Sequence, residues 1–233
     1  MKAFLLAAGI GTRLRPLTNS TPKCLLPIGG RPLLDRWLDA LAAAGVDEVL
    51  VNLHHLAPVV RHHLDERRQA PLVRPFFEQE LLGSAGTLRA NRSWVQGEEL
   101  FLACNADNLT DFELTSLVEF HRSGNEVASL TVFHARQPSA CGVVELDPAG
   151  RVIGFVEKPP QPASDLANAG MYAFHPSVLD EIRGPGPRDI GYDLLPRLVG
   201  RARAMVVEGY FRDIGTPDAY RQATEDFPIG ALR

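Results

Sequence analysis

The chain has 233 residues, 45% of them hydrophobic and 22% charged, with a formal net charge of −4. That balance fits an ordinary soluble globular protein, long enough to bury a full core as one domain, and argues against general nucleic-acid binding, which takes a basic excess. No apolar run approaches the roughly 20 residues of a membrane span, and the apolar opening over residues 3–10 leads into a basic loop rather than a secretory cleavage site.

The opening run, Lys2-Ala-Phe-Leu-Leu-Ala-Ala-Gly-Ile-Gly11, reads as a strand that ends in two glycines one residue apart, followed at once by Arg13, Arg15 and Lys23. Bare amides and nearby cations suit phosphate, although a glycine pair alone also fits a βα turn with solvent-facing basic residues. The third glycine of the dinucleotide fingerprint is Leu14 here, and the Walker-type Gly-x-x-x-x-Gly-Lys is absent from the sequence. Leu33, Leu34, Trp37, Leu38 and Leu41 recur at helical spacing up to residue 44, where Gly45 supplies a stop. A strand is expected over 48–53, a helix over 58–68, a strand over 72–77, a short helix opening at Gly83-Ser-Ala-Gly86, and a strand over 99–103. Such alternation implies right-handed βαβ units on a parallel sheet, with ligands beyond the carboxyl ends of the strands. Gly9 and Gly11, residues 78–86 and residues 105–107 fall at those ends.

The second half changes texture. After a strand over 127–133, the turn Asp147-Pro-Ala-Gly150 separates two apolar strands, 142–146 and 151–157, as a hairpin. Lys158-Pro-Pro-Gln-Pro162 is a stiff loop, 169–174 a strand, Gly184-Pro-Gly-Pro187 a break, 192–199 a helix, 204–207 the last strand and 218–226 a closing helix. The expected fold is α/β: a Rossmann-like mixed, mostly parallel sheet flanked by helices, with antiparallel elements added in the second half, forming one domain over 1–233.

Asp107 and Asp213 each follow a short apolar strand and enter a turn. Together they could hold Mg²⁺, which takes one or two carboxylates plus phosphates and waters; singly, each also fits a turn or capping role. Glu157 beside Lys158 suits a hydroxylated, phosphorylated ligand, or else is an exposed strand-end pair. The doublets His54-His55 and His62-His63 invite a metal reading, since His55 and His62 are spaced to share a helical face, but no cysteine accompanies them and Pro58 interrupts the helix between, so packing and surface roles are expected. Ser84 and Ser139 lack a triad-like context. Cys24, Cys104 and Cys141 stand far apart without Cys-x-x-Cys pairing, which fits a reducing, cytoplasmic compartment.

Leu6-Ala-Ala-Gly-x-Gly-Thr-Arg-Leu-Arg-Pro-Leu-Thr18 with Pro22-Lys23, Leu82-Gly-Ser-Ala-Gly86, Asn105-x-Asp107, Phe155-Val-Glu-Lys-Pro159, Asn168-Ala-Gly170 and Asp213-Ile-Gly-Thr-Pro217 together resemble the sugar-1-phosphate nucleotidylyltransferases, in order and spacing, over essentially the whole chain. The resemblance implies a nucleotide-diphospho-sugar transferase fold and the reaction of an NTP with a sugar 1-phosphate to give an NDP-sugar and pyrophosphate. It implies that Ala7, Gly9, Gly11, Thr12 and Arg13 bind the nucleotide, with Glu78 and Gly83 against the base, and that Lys23 contacts phosphates of the reacting pair. By the same likeness Asp107 and Asp213 hold Mg²⁺, Lys158 binds the sugar phosphate, and Asn105, Gly142, Glu157, Asn168 and Gly170 form the sugar pocket. Residues 1–125 would be mainly the nucleotide half and 126–233 mainly the sugar-phosphate half.

The usual Asn-Gly-Asp is Asn105-Ala106-Asp107 here, and Cys24 and Cys141 replace more common neighbours, which bears on substrate fit more than on catalysis. A carboxylate at Glu78 suits guanine and leans toward GTP, with UTP or dTTP open, and the sugar could be mannose-like, a heptose, glucose-like or a cyclitol. A non-catalytic nucleotide-binding regulator and a phosphocholine-like acceptor are the rivals. Neither nucleic acid nor membrane is expected as a partner, and a homo-oligomer is left open.

Overall fold

The helical and strand periodicities of the first third fold as their spacing predicts. In the computed structural model, which describes residues 1–227, strands Lys2–Leu6, Glu48–Leu53 and Leu72–Phe77 lie as neighbours in that order, the last two parallel. Helix Leu33–Ala43 buries the expected stripe of Leu33, Leu34, Trp37, Leu38 and Leu41, and Gly45, at φ 79°, follows its end. The Trp37 indole Nε1 donates to the Asn108 carbonyl at 2.8 Å, fastening this helix to the segment that carries Asp107. Helix Ala57–Glu66 has Pro58 in its first turn, where a missing N–H costs nothing, so His55 precedes the helix and shares no face with His62.

The chain divides into two units. One, here the loop unit, comprises residues 3–81, 105–112 and the segment after residue 208. Besides the three strands above, it holds a small antiparallel pair, Asn108–Thr110 with Phe211–Asp213, in which Asp213 lies opposite Asn108. The expectation that 204–207 is the last strand is therefore corrected: Ala202–Val206 is followed by Phe211–Asp213. Three residues are too few to show a period, and their partner is far upstream. Helix Pro217–Asp226 closes the described chain, capped by the Thr216 hydroxyl, which accepts from the Ala219 amide at 3.2 Å.

The other, the hairpin unit, comprises residues 1–2, 82–104 and 113–208. Strands Gly142–Leu146 and Val152–Glu157 pair antiparallel, as their turn predicts, and Asp147 Oδ1 accepts from the Ala149 and Arg151 amides at 2.9 Å each. Leu166–Phe174 runs antiparallel to Phe101–Asn105, Ala128–His134 and Gly142–Leu146, with a register break between Asn168 and Tyr172. Ala202–Val206 pairs parallel with Ala128–His134. Helix Leu114–Arg122, which the sequence reading passed over, buries Leu114, Leu117, Val118 and His121 at helical spacing. The helix expected over 192–199 starts instead as a π-helical turn, Ile190–Leu194, before Leu195–Leu198. Pro196 has no N–H to give the Tyr192 carbonyl, so regular α-helix cannot run through this point. The result is the expected α/β fold: a mixed sheet flanked by helices, with antiparallel strands added in the second half.

Candidate active site

In the loop unit, Gly11 adopts φ 66°, and a Cβ there would lie 2.9 Å from Thr18 Cγ2. Only glycine fits both the left-handed backbone and the approach. The Thr18 hydroxyl donates to the Gly11 carbonyl at 2.8 Å, and His55 Nε2 donates to the Thr18 carbonyl at 2.9 Å, so the loop is braced from behind. His63 pairs with Asp35 at 2.9 Å and His62 with Glu66 at 3.5 Å, which places each of these imidazoles in a local contact. Gly9 is exposed, with no atom within 4 Å of where its Cβ would be, so the loop is open there.

Lys23, only 8% exposed, sits in a short 3₁₀ turn after Pro22, and its Nζ lies 2.7 Å from Asp107 Oδ2 and 3.4 Å from Asp213 Oδ1. The Ile214 amide donates to the Asp107 carbonyl at 3.1 Å, which draws the two aspartate segments together despite their separation in sequence. Arg13 joins them: a Cβ on Gly215 would lie 2.8 Å from both Arg13 Nη2 and Asp213 Oδ1. A cleft lined by Leu6, Ala7, Gly9, Lys23, Cys24, Ala106 and Asp107 runs beside this cluster. Burial pushes the Cys24 thiol up to about 12, so this cysteine offers no thiolate. Asn105, at the end of strand Phe101–Asn105, leads directly into the turn that carries Asp107.

The two aspartate side chains remain 43% and 54% exposed. Paired carboxylates with open faces fit Mg²⁺, which completes its shell with substrate phosphates and waters. Among the described residues no group of three or more His, Cys, Asp or Glu side chains gathers into a self-sufficient metal cage. Glu78 is 3% exposed, and its Oε1 accepts from Asn52 Nδ2 at 2.9 Å. Asn52 is a residue that sequence reasoning missed; its only signal was a lone amide in the apolar run Glu48-Val-Leu-Val-Asn-Leu53.

In the hairpin unit, Glu157 ends its strand opposite Gly142, and a Cβ on Gly142 would come 2.5 Å from Glu157 Oε2. Gly191 faces the same oxygen, so the carboxylate nests between two glycines. Burial pushes the Glu157 carboxyl above the usual carboxylate range; Lys158 opposes that shift and Asp189 adds to it. Lys158 holds φ 50°, its amide donates to the Cys141 carbonyl at 2.9 Å, and its Nζ lies 4.0 Å from Glu157 Oε1 with the side chain 56% exposed. Gly170, at φ 74°, sits in the register break, where its amide donates to Asn168 Oδ1 at 3.0 Å while Asn168 Nδ2 donates to the Tyr172 hydroxyl at 2.6 Å.

Gly83, at φ 75°, packs directly on the Arg188 backbone, where a Cβ would collide. Ser84 donates its hydroxyl to Asp189 Oδ2 at 2.8 Å and accepts from the Ile190 amide at 2.7 Å, which gives this serine a structural role. Asp189 also caps the π-helical turn, accepting from the Gly191 amide at 2.8 Å. An aspartate just before an apolar-periodic stretch was the readable sign of that cap.

A family model described as nucleotidyl transferase matches residues 2–228. The chain belongs to that family. Mannose-1-phosphate guanylyltransferase 1 of Arabidopsis thaliana is 37% identical over 228 residues, covering 94% of this chain and 63% of the plant protein. The mannose-1-phosphate guanylyltransferase catalytic subunit beta of Drosophila pseudoobscura pseudoobscura is 36% identical over 221 residues, covering 93% and 59%. The chain thus spans about three fifths of the length of these nucleotidyl transferase relatives. A Bacillus anthracis crystal structure assigned as a glucose-1-phosphate thymidylyltransferase superposes with a TM-score of 0.84 at 24% identity, covering 97% of this chain and 94% of that one, and so shares the fold. Among the described residues no helix is long and apolar enough to cross a membrane.

Ala7, Gly9, Gly11, Thr12, Arg13, Lys23, Glu78, Asn105, Asp107 and Asp213 belong to the loop unit. Arg13, Lys23, Asp107 and Asp213 converge on one point there. Gly83, Gly142, Glu157, Lys158, Asn168 and Gly170 belong to the hairpin unit, where Gly142, Glu157 and Lys158 are in contact.

Proposed function

We propose that this chain is a sugar-1-phosphate nucleotidylyltransferase that makes an NDP-sugar and pyrophosphate, with GTP and a mannose-like 1-phosphate as preferred substrates. The observation that carries the reading is Lys23 set between Asp107 and Asp213, with Arg13 beside them at the glycine loop. The obstacle in this reaction is electrostatic. A sugar phosphate oxygen, already anionic, bonds to the α-phosphorus while the bond to the β-phosphate oxygen breaks and pyrophosphate leaves. No general base is needed; cations must offset the repulsion and hold the pair in line.

Arg13 and Lys23 supply fixed positive charge, and the loop at Gly9 and Gly11 presents backbone amides to the triphosphate. Asp107 and Asp213 would hold Mg²⁺, which when bound neutralises phosphate charge. Lys158 serves as a point charge for the sugar phosphate, and Glu157 and Asn168 offer hydrogen bonds to sugar hydroxyls. The guanine preference is supported by Glu78, whose carboxylate can accept from N1–H and the 2-amino group, and by the guanylyltransferase names of the relatives.

The test is pyrophosphate release over a matrix of GTP, ATP, CTP, UTP and dTTP against mannose, glucose, heptose and cyclitol 1-phosphates with Mg²⁺. The expected maximum is GTP with mannose 1-phosphate. A maximum with UTP or dTTP would overturn the base assignment, and no release in any combination would overturn the reaction.

A further inference from the structure

Beyond Leu6 the amides of Ala7 and Ala8 follow the end of the first strand, and buried N–H groups must find partners. One side-chain oxygen takes both: Asn52 Oδ1 accepts from Ala7 N at 2.6 Å and from Ala8 N at 3.2 Å. The same side chain turns its Nδ2 to Glu78 Oε1 at 2.9 Å, and His54 Nδ1 donates to the Glu78 carbonyl at 2.9 Å, fixing Glu78 by side chain and backbone alike. Asn52 is 4% exposed and Glu78 3%, so the connection is made in the interior.

A carboxamide carries an acceptor oxygen and a donor nitrogen side by side, which neither a carboxylate nor an aliphatic side chain does. An aspartate at the same place would still accept from the two amides but would set a second anion against Glu78. A leucine would fill the volume and satisfy none of the three groups, the Ala7 amide, the Ala8 amide and Glu78 Oε1.

We propose that Asn52 is a positioning residue that ties the triphosphate loop to base recognition, holding the Ala7–Ala8 backbone on one side and the Glu78 carboxylate on the other. The inference rests on the reading of this chain as an NTP-using enzyme. It predicts that Asn52 sets which base is preferred without itself touching the nucleotide.

Calorimetric titration with GTP, UTP and inorganic tripolyphosphate, each with Mg²⁺, separates the two sides of the bridge in the full chain. Asn52→Asp keeps the acceptor for Ala7 and Ala8 and loses the donor to Glu78. It is expected to bind GTP at least tenfold more weakly and tripolyphosphate within threefold of wild type, so that the GTP-to-UTP preference collapses. Asn52→Leu is expected to weaken all three probes and to lower the same ratio, and it decides the matter should the charged variant fail to fold.

An unchanged GTP-to-UTP ratio in the folded variants, or equal losses of GTP and tripolyphosphate in Asn52→Asp, would mean that Asn52 only supports the fold, and would overturn the proposal. Wild-type protein that binds no nucleotide would instead bring down the enzymatic reading on which it rests.

Discussion

In the proposed sugar site, Glu157 would serve binding at the expense of stability. Its carboxyl is held above the usual range by burial, with Lys158 opposing and Asp189 reinforcing. An acid with a raised folded pKa keeps its proton over a pH window in which the unfolded chain has lost it. The folded state then binds more protons, so stability falls as pH rises through that window, from the ordinary carboxylate value up to the folded one. Glu157→Gln removes this burden. The variant is expected to melt at or above the wild-type temperature at pH 7.5, with the difference closing as pH drops below the ordinary carboxylate range. The KM for the sugar phosphate is expected to rise at least about tenfold at neutral pH, or ~1.4 kcal/mol of binding, because the amide is uncharged and puts an N–H donor where one carboxylate oxygen accepts. Melting curves and steady-state kinetics read the two effects. A variant less stable than wild type at pH 7.5 would contradict the account of the carboxylate.

At the scale of elements, Asp107, Asp213, Glu157 and Lys158 were readable as candidates because each lies at or just beyond the end of a strand, whereas Arg13 and Lys23 lie in short 3₁₀ turns that follow the opening strand. Asp213 is the instructive case. Its aspartate before Ile-Gly-Thr-Pro217 was readable, but the strand Phe211–Asp213 that positions it was not, since its order comes from pairing with Asn108–Thr110 rather than from its own sequence. Asn52 and the contact of Asp189 with Ser84 were hidden for a related reason: these hydrogen bonds run to segments distant in sequence, whereas the cap that Asp189 places on the π-helical turn had a local sign. The hairpin 142–157 and the Trp37 helix, governed by local turn chemistry and periodicity, were legible almost to the residue.

The clamp on residues 82–86 makes a prediction at this scale. The Arg188 amide donates to the Leu82 carbonyl at 2.8 Å, the Gly86 amide to the Arg188 carbonyl at 3.0 Å, and Gly83 lies between with no room for a side chain. Gly83→Ala combines left-handed strain with a backbone collision, so a loss of at least about 2 kcal/mol is expected, roughly 4–8 °C in Tm for a chain of this size. Gly97→Ala is the control. Gly97 also has positive φ, at 92°, but is exposed with open space where its Cβ would sit, so it is expected to lose only about 1 kcal/mol from backbone strain. Calorimetry of the two variants checks the order; equal losses would remove the steric part of the argument.

Over the whole molecule, the fold class could be read from alternating strands and helices, whereas the division into units could not. Each unit is assembled from separate stretches of chain: residues 105–112 and those after 208 join the first 81, while residues 1–2 belong with the second unit. That interleaving is why Lys23, Asp107 and Asp213 meet although 190 positions separate the first from the last. The central claim is that this meeting point performs nucleotidyl transfer. Its most direct test is Mg²⁺-dependent pyrophosphate release from GTP and mannose 1-phosphate by wild type and by Asp107→Ala, with nucleotide binding measured on both. The account predicts turnover in the wild type and a loss of at least about a hundredfold in the variant, or ~2.7 kcal/mol of barrier. An Asp107→Ala enzyme that turns over within a few-fold of wild type would contradict it.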